Sequence, residues 1–212
     1  MSNSTGGSGN PIGGKTDPFG GDNIMPIEKQ RRAHQFLTQE TRYHIIQAVL
    51  GHPTYLATLD ELEYLVPKNR STIREHLDRL AEKQVMAKYK YRGDETERNE
   101  PREFWGFTSY GINLLDEYSY LRYVPVLRAL QENLYLTEKI ERHQDAPRPE
   151  LPEDVSEALK IPEIDDETEA IIDDALAVRE RGGDQLFDAP PIEPDENVET
   201  EAGADRPLDE LF

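Results

Sequence analysis

Asn69–Gln84 reads NRSTIREHLDRLAEKQ, and the fold turns on it. Ile73, Leu77 and Leu80 recur at i, i+4 and i+7. That spacing gathers them on one face of a helix and points them into a core. Arg70, Ser71 and Arg74 fall on another face near the N-terminal end, where backbone N–H groups lack intrahelical partners and attract anions. Directly upstream, Thr58 opens a shorter helix in a capping box with Glu61, and Leu59, Leu62, Leu65 and Val66 supply its apolar face. Pro67 ends that helix, and the turn Pro67–Lys68 leads to Asn69 as the N-cap of the next one. Directly downstream, Val85–Tyr91 (VMAKYKY) and Glu103–Thr108 (EFWGFT) flank the polar stretch Arg92–Arg102, which predicts a β-hairpin with a long tip. Helix, tight turn, helix and hairpin is the order of a winged helix-turn-helix.

Further out, structure is expected to begin near Ile27. Phe36, Leu37, Ile45, Ile46, Val49 and Leu50 follow helical spacing, with Thr38 as N-cap and Gly51 as the stop. Beyond the hairpin, Ser109 is expected to cap a helix bearing Ile112, Leu114, Leu115 and Tyr118. A Tyr-rich bend (Tyr118, Tyr120, Tyr123) then leads to Pro125 at the start of a fifth helix. Leu127, Leu130 and Leu134 make a stripe there, with Leu136 and Ile140 beside it. Such a helix beyond the wing is expected to pack against a second copy in a homodimer, since helix-turn-helix proteins commonly pair to span two half-sites. The plainer reading is that the stripe closes the core of one chain.

Charge is distributed unevenly. The chain carries a net charge of −19, yet residues 28–143 hold 18 basic and 18 acidic side chains, while residues 144–212 hold 5 and 23. The middle is balanced, which leaves a locally positive face open to it. With 36% hydrophobic and 32% charged residues, substantial disorder is expected, in a Gly/Ser-rich arm over 1–26 and in the acidic tail. No cysteine is present, so disulfides and thiolate metal sites are ruled out. His34, His44, His52 and His143 are too scattered for a metal cluster. No run is long and apolar enough for a membrane span or signal peptide, so a cytoplasmic protein is expected. Gly9–Thr16 (GNPIGGKT) spells a phosphate-binding loop but lacks the strand before and the helix after that the mechanism needs. With no nucleophile–base pair either, no enzyme and no cofactor are expected.

Phe36 to Pro152 resembles the winged-helix transcription regulators of haloarchaea. The residues that carry this are FLTQETRYHIIQAVLGHP, STIREHLDRL, FTSYGINLLDEY and PVLRAL…TEKIERHQDAPRPELP, a little over half the chain. The resemblance implies a cytoplasm rich in potassium chloride, in which acidic, Lys-poor surfaces are ordinary. The expected fold is mainly α with a small β-hairpin. A winged helix-turn-helix domain covers 27–109, a helical dimerisation extension 110–143, and a largely disordered acidic tail 144–212, with an amphipathic helix candidate at 167–181.

The expected activity is sequence-specific binding of double-stranded DNA as a transcriptional regulator. Arg70, Ser71, Thr72 and Arg74 are expected to contact DNA, Arg74 as the base reader through guanine O6 and N7. Lys68 and the wing residues Lys88, Lys90, Arg92, Arg98 and Arg102 are expected on phosphates. Glu75 and Asp78 lie near that face and are expected to point to water, and His76 to pack beside the core. The alternative is a protein-interaction adaptor. For that, the terminal DRPLDELF, with Leu208, Leu211 and Phe212, is similar to a sliding-clamp-binding peptide, although Asp205 and Leu211 depart from its pattern. Halophilic solvation and competition with DNA for the basic face are the other readings of the tail.

Overall fold

The computed structural model describes residues 17–20, 24–93, 100–160 and 164–182. In order, the elements are α1 (Pro26–Leu37), α2 (Glu40–Gly51), α3 (Leu59–Leu65), α4 (Arg70–Glu82), β1 (Met86–Lys90), β2 (Glu103–Phe107), α5 (Ser109–Glu117), a 3-10 turn (Tyr120–Tyr123), α6 (Val124–Glu132), α7 (Glu138–Asp145), α8 (Glu153–Ala158) and α9 (Asp166–Gly182). The helix-turn-helix is α3–α4 and the wing is β1–β2, as the central stretch predicts.

Local chemistry accounts for these boundaries. The Thr58–Glu61 capping box forms in both directions, and the Asn69 side chain accepts the Thr72 N–H. Two caps move by one residue. Gln39, not Thr38, caps α2, and Thr108, not Ser109, caps α5. Thr38 instead closes α1, its hydroxyl donating to the His34 carbonyl at 2.8 Å. Phe36 and Leu37 therefore belong to a separate helix ahead of α2. Gly51 is the last residue of α2, where the stop was expected, and it also serves a close approach. A Cβ at Gly51 would sit 2.5 Å from the Gln131 amide nitrogen and 2.7 Å from the Leu127 carbonyl oxygen. Glycine is what lets the α6 backbone approach this closely.

The two strands pair antiparallel with Met86 opposite Phe107, Lys88 opposite Trp105 and Lys90 opposite Glu103. Ala57 adds a third short rung by exchanging two backbone hydrogen bonds with Trp105, at 3.0 and 2.8 Å. The core lies between α2, α3, α4 and the sheet. Ile45, Ile46, Leu62, Ile73, Leu77, Leu80 and Phe107 are fully buried there. Trp105 and Met86 line the sheet side of the same core.

The folded unit is longer than 27–143 at both ends. Phe19, assigned to the arm, is buried, meets Phe36 edge-on at 5.3 Å and lies under the Lys83 ammonium. Composition averages over an arm, whereas one aromatic ring is enough to anchor it. At the other end, Val155 and Leu159 are buried, with α8 packed on α5. The segment 144–160, assigned to the tail, is thus part of the domain, because its few apolar residues reach a core the other elements leave open. Of the stripe expected to meet a second copy, Leu127 and Leu130 lie on α6, which packs on α2 and α9 of its own chain, whereas Leu134 and Leu136 follow its end and Ile140 belongs to α7.

A buried ionic cluster ties the C-terminal strap to the helix-turn-helix. Glu61 accepts from the Thr58 N–H at 2.6 Å, from Arg148 at 2.7 Å and from His52 Nε2 at 3.2 Å. Burial pushes the Glu61 carboxyl up, but the His52 hydrogen bond, the Arg148 charge and the Thr58 N–H outweigh it and hold the group at about 2. Burial also keeps His52 neutral. Its Nδ1 receives the Thr54 N–H at 3.2 Å, which leaves the ring proton on Nε2, facing Glu61. Arg148 also donates to the Leu56 and His143 carbonyls and lies 5.1 Å over the Phe104 ring.

Candidate nucleic-acid interface

Asn69 organises the N-terminus of α4. Its side-chain oxygen accepts the Thr72 N–H at 2.9 Å and the Ser71 hydroxyl at 2.7 Å. Because Ile73, Leu77 and Leu80 face inward, the outward stripe reads Ser71, Arg74, Glu75, Asp78 and Glu82, all exposed. Ser71 and Arg74 come first, and carboxylates take over from Glu75 onward, where the exposed cation Arg79 is held by Glu75. Only the first half is suited to an anion, and the partial positive charge of the helix terminus adds to it.

Four of the cations expected to contact DNA already hold a carboxylate. Lys68 pairs with Glu40 at 2.9 Å, and Arg70 with Glu63 at 2.8 Å and Asp60 at 3.1 Å. Lys88 and Lys90 both hold Glu103, at 3.1 and 3.0 Å. The shifts follow these contacts. Glu63 and then Asp60 raise Arg70, Lys68 lowers Glu40, and Lys90 and then Lys88 lower Glu103. Arg79 is taken up by Glu75 one turn away on the same helix.

Among the described residues, Arg74, Arg92 and Arg102 are exposed and make no ion pair or side-chain hydrogen bond. Thr72 is half-buried beside the cap. Arg98 lies outside the described residues, as do Gly9–Thr16 and the terminal Leu208, Leu211 and Phe212. His76 is buried, with Nδ1 3.4 Å from the Arg42 guanidinium; burial and then the charges of Arg42 and Arg79 lower its pKa.

The sequence reading missed the neutralising carboxylates. Glu103 was within reach of it, since a hairpin drawn in register puts Glu103 opposite Lys90 and diagonal to Lys88. Asp60 and Glu63 were not, because their approach to Arg70 depends on how α3 crosses α4. No group of three or more potential ligands is placed to hold a metal among the described residues. No helix there is long and apolar enough to cross a membrane.

Neither protein families nor curated proteins give a match to this sequence. Among solved structures, the fold is similar to that of a protein with a GntR superfamily winged-helix-turn-helix domain from Halomicrobium mukohataei. The TM-score is 0.57 at 23% identity, over 66% of this chain and 97% of that one. The likeness extends to the fold: a winged helix-turn-helix, mainly helical with an antiparallel hairpin.

Proposed function

We propose that this winged helix-turn-helix protein binds double-stranded DNA as a sequence-specific transcriptional regulator, with α4 in the major groove and the wing along the backbone. The observation that carries this is Arg74, exposed and unpaired among the described residues, beside Ser71 on the outward first half of α4. A guanidinium so placed suits the bidentate contact to guanine O6 and N7. Arg92 and Arg102 supply unpaired charge at the wing. Lys68, Arg70, Lys88 and Lys90 join them on phosphates only by exchanging a carboxylate, so each contributes less net attraction than a free cation. Counterion release is accordingly small, and affinity depends weakly on salt. That suits a cell interior concentrated in potassium chloride.

Two copies are proposed to bind paired half-sites, meeting through surface other than the α6 stripe. The test is selection from a random DNA pool by the full chain in molar KCl, with sequencing of the bound fraction. A two-fold symmetric site is expected. Arg74→Ala is expected to weaken its binding by about 10- to 100-fold while leaving unfolding within about 0.5 kcal/mol of the parent.

The two carboxylates on the second half of α4 that hold no cation among the described residues, Asp78 and Glu82, favour a second reading, in which this face takes a basic protein surface and DRPLDELF recruits a further partner. Failure to enrich any sequence, with the chain folded by circular dichroism, selects that reading.

A further inference from the structure

Away from α4, a half-open cavity of about 190 Å³ lies between α2, the 3-10 turn and α6. Tyr43 and Gln47 of α2 form one wall, Tyr120 and Tyr123 the other, and Leu50 and Leu127 the apolar lining between them. The bend that brings the tyrosines round is made at Ser119, which takes a left-handed backbone conformation at φ 62°. No side chain that lines the cavity carries a formal charge. Burial and then the neighbouring Tyr43 push the Tyr120 hydroxyl up to about 12, so it stays neutral. The hydroxyls of Tyr43, Tyr120 and Tyr123 and the Gln47 amide have no hydrogen-bond partner among the described residues, whereas Tyr118 donates to the Gln30 carbonyl at 2.8 Å. Tyr43 and Tyr120 already meet edge-on at 5.9 Å, a favourable arrangement for two rings.

We propose that this cavity is a binding site for a small, uncharged aromatic molecule of one ring or one compact fused pair, bearing a single hydrogen-bonding group. Size sets the upper limit, since a dry cavity of about 150 Å³ accommodates benzene. Chemistry sets the rest. Ring faces receive a ring, free phenol and amide groups orient one polar substituent, and a charged ligand would lose its hydration without gaining a counter-charge.

The site is placed to bias α4. Next to Tyr43 on α2, Arg42 turns inward, where its guanidinium stacks 4.2 Å over Phe36 and reaches His76 of α4. A ligand that shifts α2 therefore shifts the seat of α4. This regulatory half rests on the DNA-binding reading, whereas the site itself does not.

The experiment is calorimetric titration of the full chain in molar KCl with phenol and indole, and with benzoate and benzylamine as charged controls. Saturable one-to-one binding of the neutral probes is expected with Kd on the order of 0.1–1 mM, and at least about tenfold weaker binding of the charged ones. Gln47→Trp fills the cavity and is expected to abolish binding. Should that variant fail to fold, transferred nuclear Overhauser effects from tyrosine ring protons to indole on the parent chain locate the probe. No saturation, equal binding of charged and neutral probes, or contacts outside the tyrosines overturns the site. The titration contains no DNA, so a failure of the DNA reading leaves it intact. With the selected DNA present, indole is expected to change affinity by about 5-fold or more, and an unchanged affinity overturns the regulatory half alone.

Discussion

Asp60 and Glu61 are consecutive residues of α3, and each holds an arginine, but in different surroundings. Asp60 holds Arg70 and Lys139 at the surface, where both cations remain largely solvated. Glu61 and Arg148 are 1% and 6% exposed at the side chain. Exposed pairs gain little, since water competes for both partners and salt screens them over a few ångströms at molar concentration. A buried pair is shielded from both, and removing one member strands the other without water. The helix thus presents one carboxylate to the surface, where it tempers a cation of the candidate interface, and one to the interior, where it fastens the strap 144–160.

The largest effect is expected at Glu61. Glu61→Ala leaves Arg148 buried and unpaired and is expected to cost about 3–5 kcal/mol in urea unfolding at fixed KCl. A cost below about 1 kcal/mol would erase the distinction between the two neighbours.

Acid sharpens the same point. The folded Glu61 titrates at about 2 against an ordinary 4.5, so its contribution is complete above about 4.5 and lost as pH falls towards 2. His52 adds to that loss from a higher pH. Its folded value is depressed from 6.5 by burial, so the unfolded chain binds a proton that the folded one refuses, and stability falls as pH drops below about 6.5. Denaturant unfolding followed from pH 7 to pH 3 is expected to decline throughout, and a flat profile would contradict both assignments.

Smaller effects are expected at the surface. Glu103→Gln frees Lys88 and Lys90 and is expected to steepen the dependence of log K on log salt by about 1 to 2, with tighter DNA binding at low salt. Anisotropy titrations at several KCl concentrations measure the slope, and an unchanged slope would mean that these lysines never reach phosphate. Asp60→Asn is expected to change stability by less than about 1 kcal/mol, the smallest shift of the series, read by the same urea titration as Glu61→Ala.

How far the sequence could be read follows from the range of the forces involved. Ile73, Leu77 and Leu80, the Thr58–Glu61 box, the Asn69 cap and the paired strands are local patterns, and all appear in the structure. Apart from two caps that moved by one residue, the errors occurred where one residue served a distant contact. Gly51 ends α2 as expected, but its clearance for α6 was not legible. Phe19 and Val155 looked like parts of polar tails and are core residues. In the candidate interface, sequence could place Arg70, Arg74 and the wing lysines on the right elements, but not say which of them already held a carboxylate.

The sequence by itself determined the helix, turn, helix and hairpin order at the centre of the chain, the inward face of α4 and the balance of charge in the middle, because periodicity, capping and composition act over a few residues. The tertiary structure alone decided which cations stay unpaired, where the folded unit ends and that a neutral tyrosine-lined cavity opens beside α2. Those depend on side chains far apart in sequence meeting or missing by a few ångströms, which no local pattern encodes.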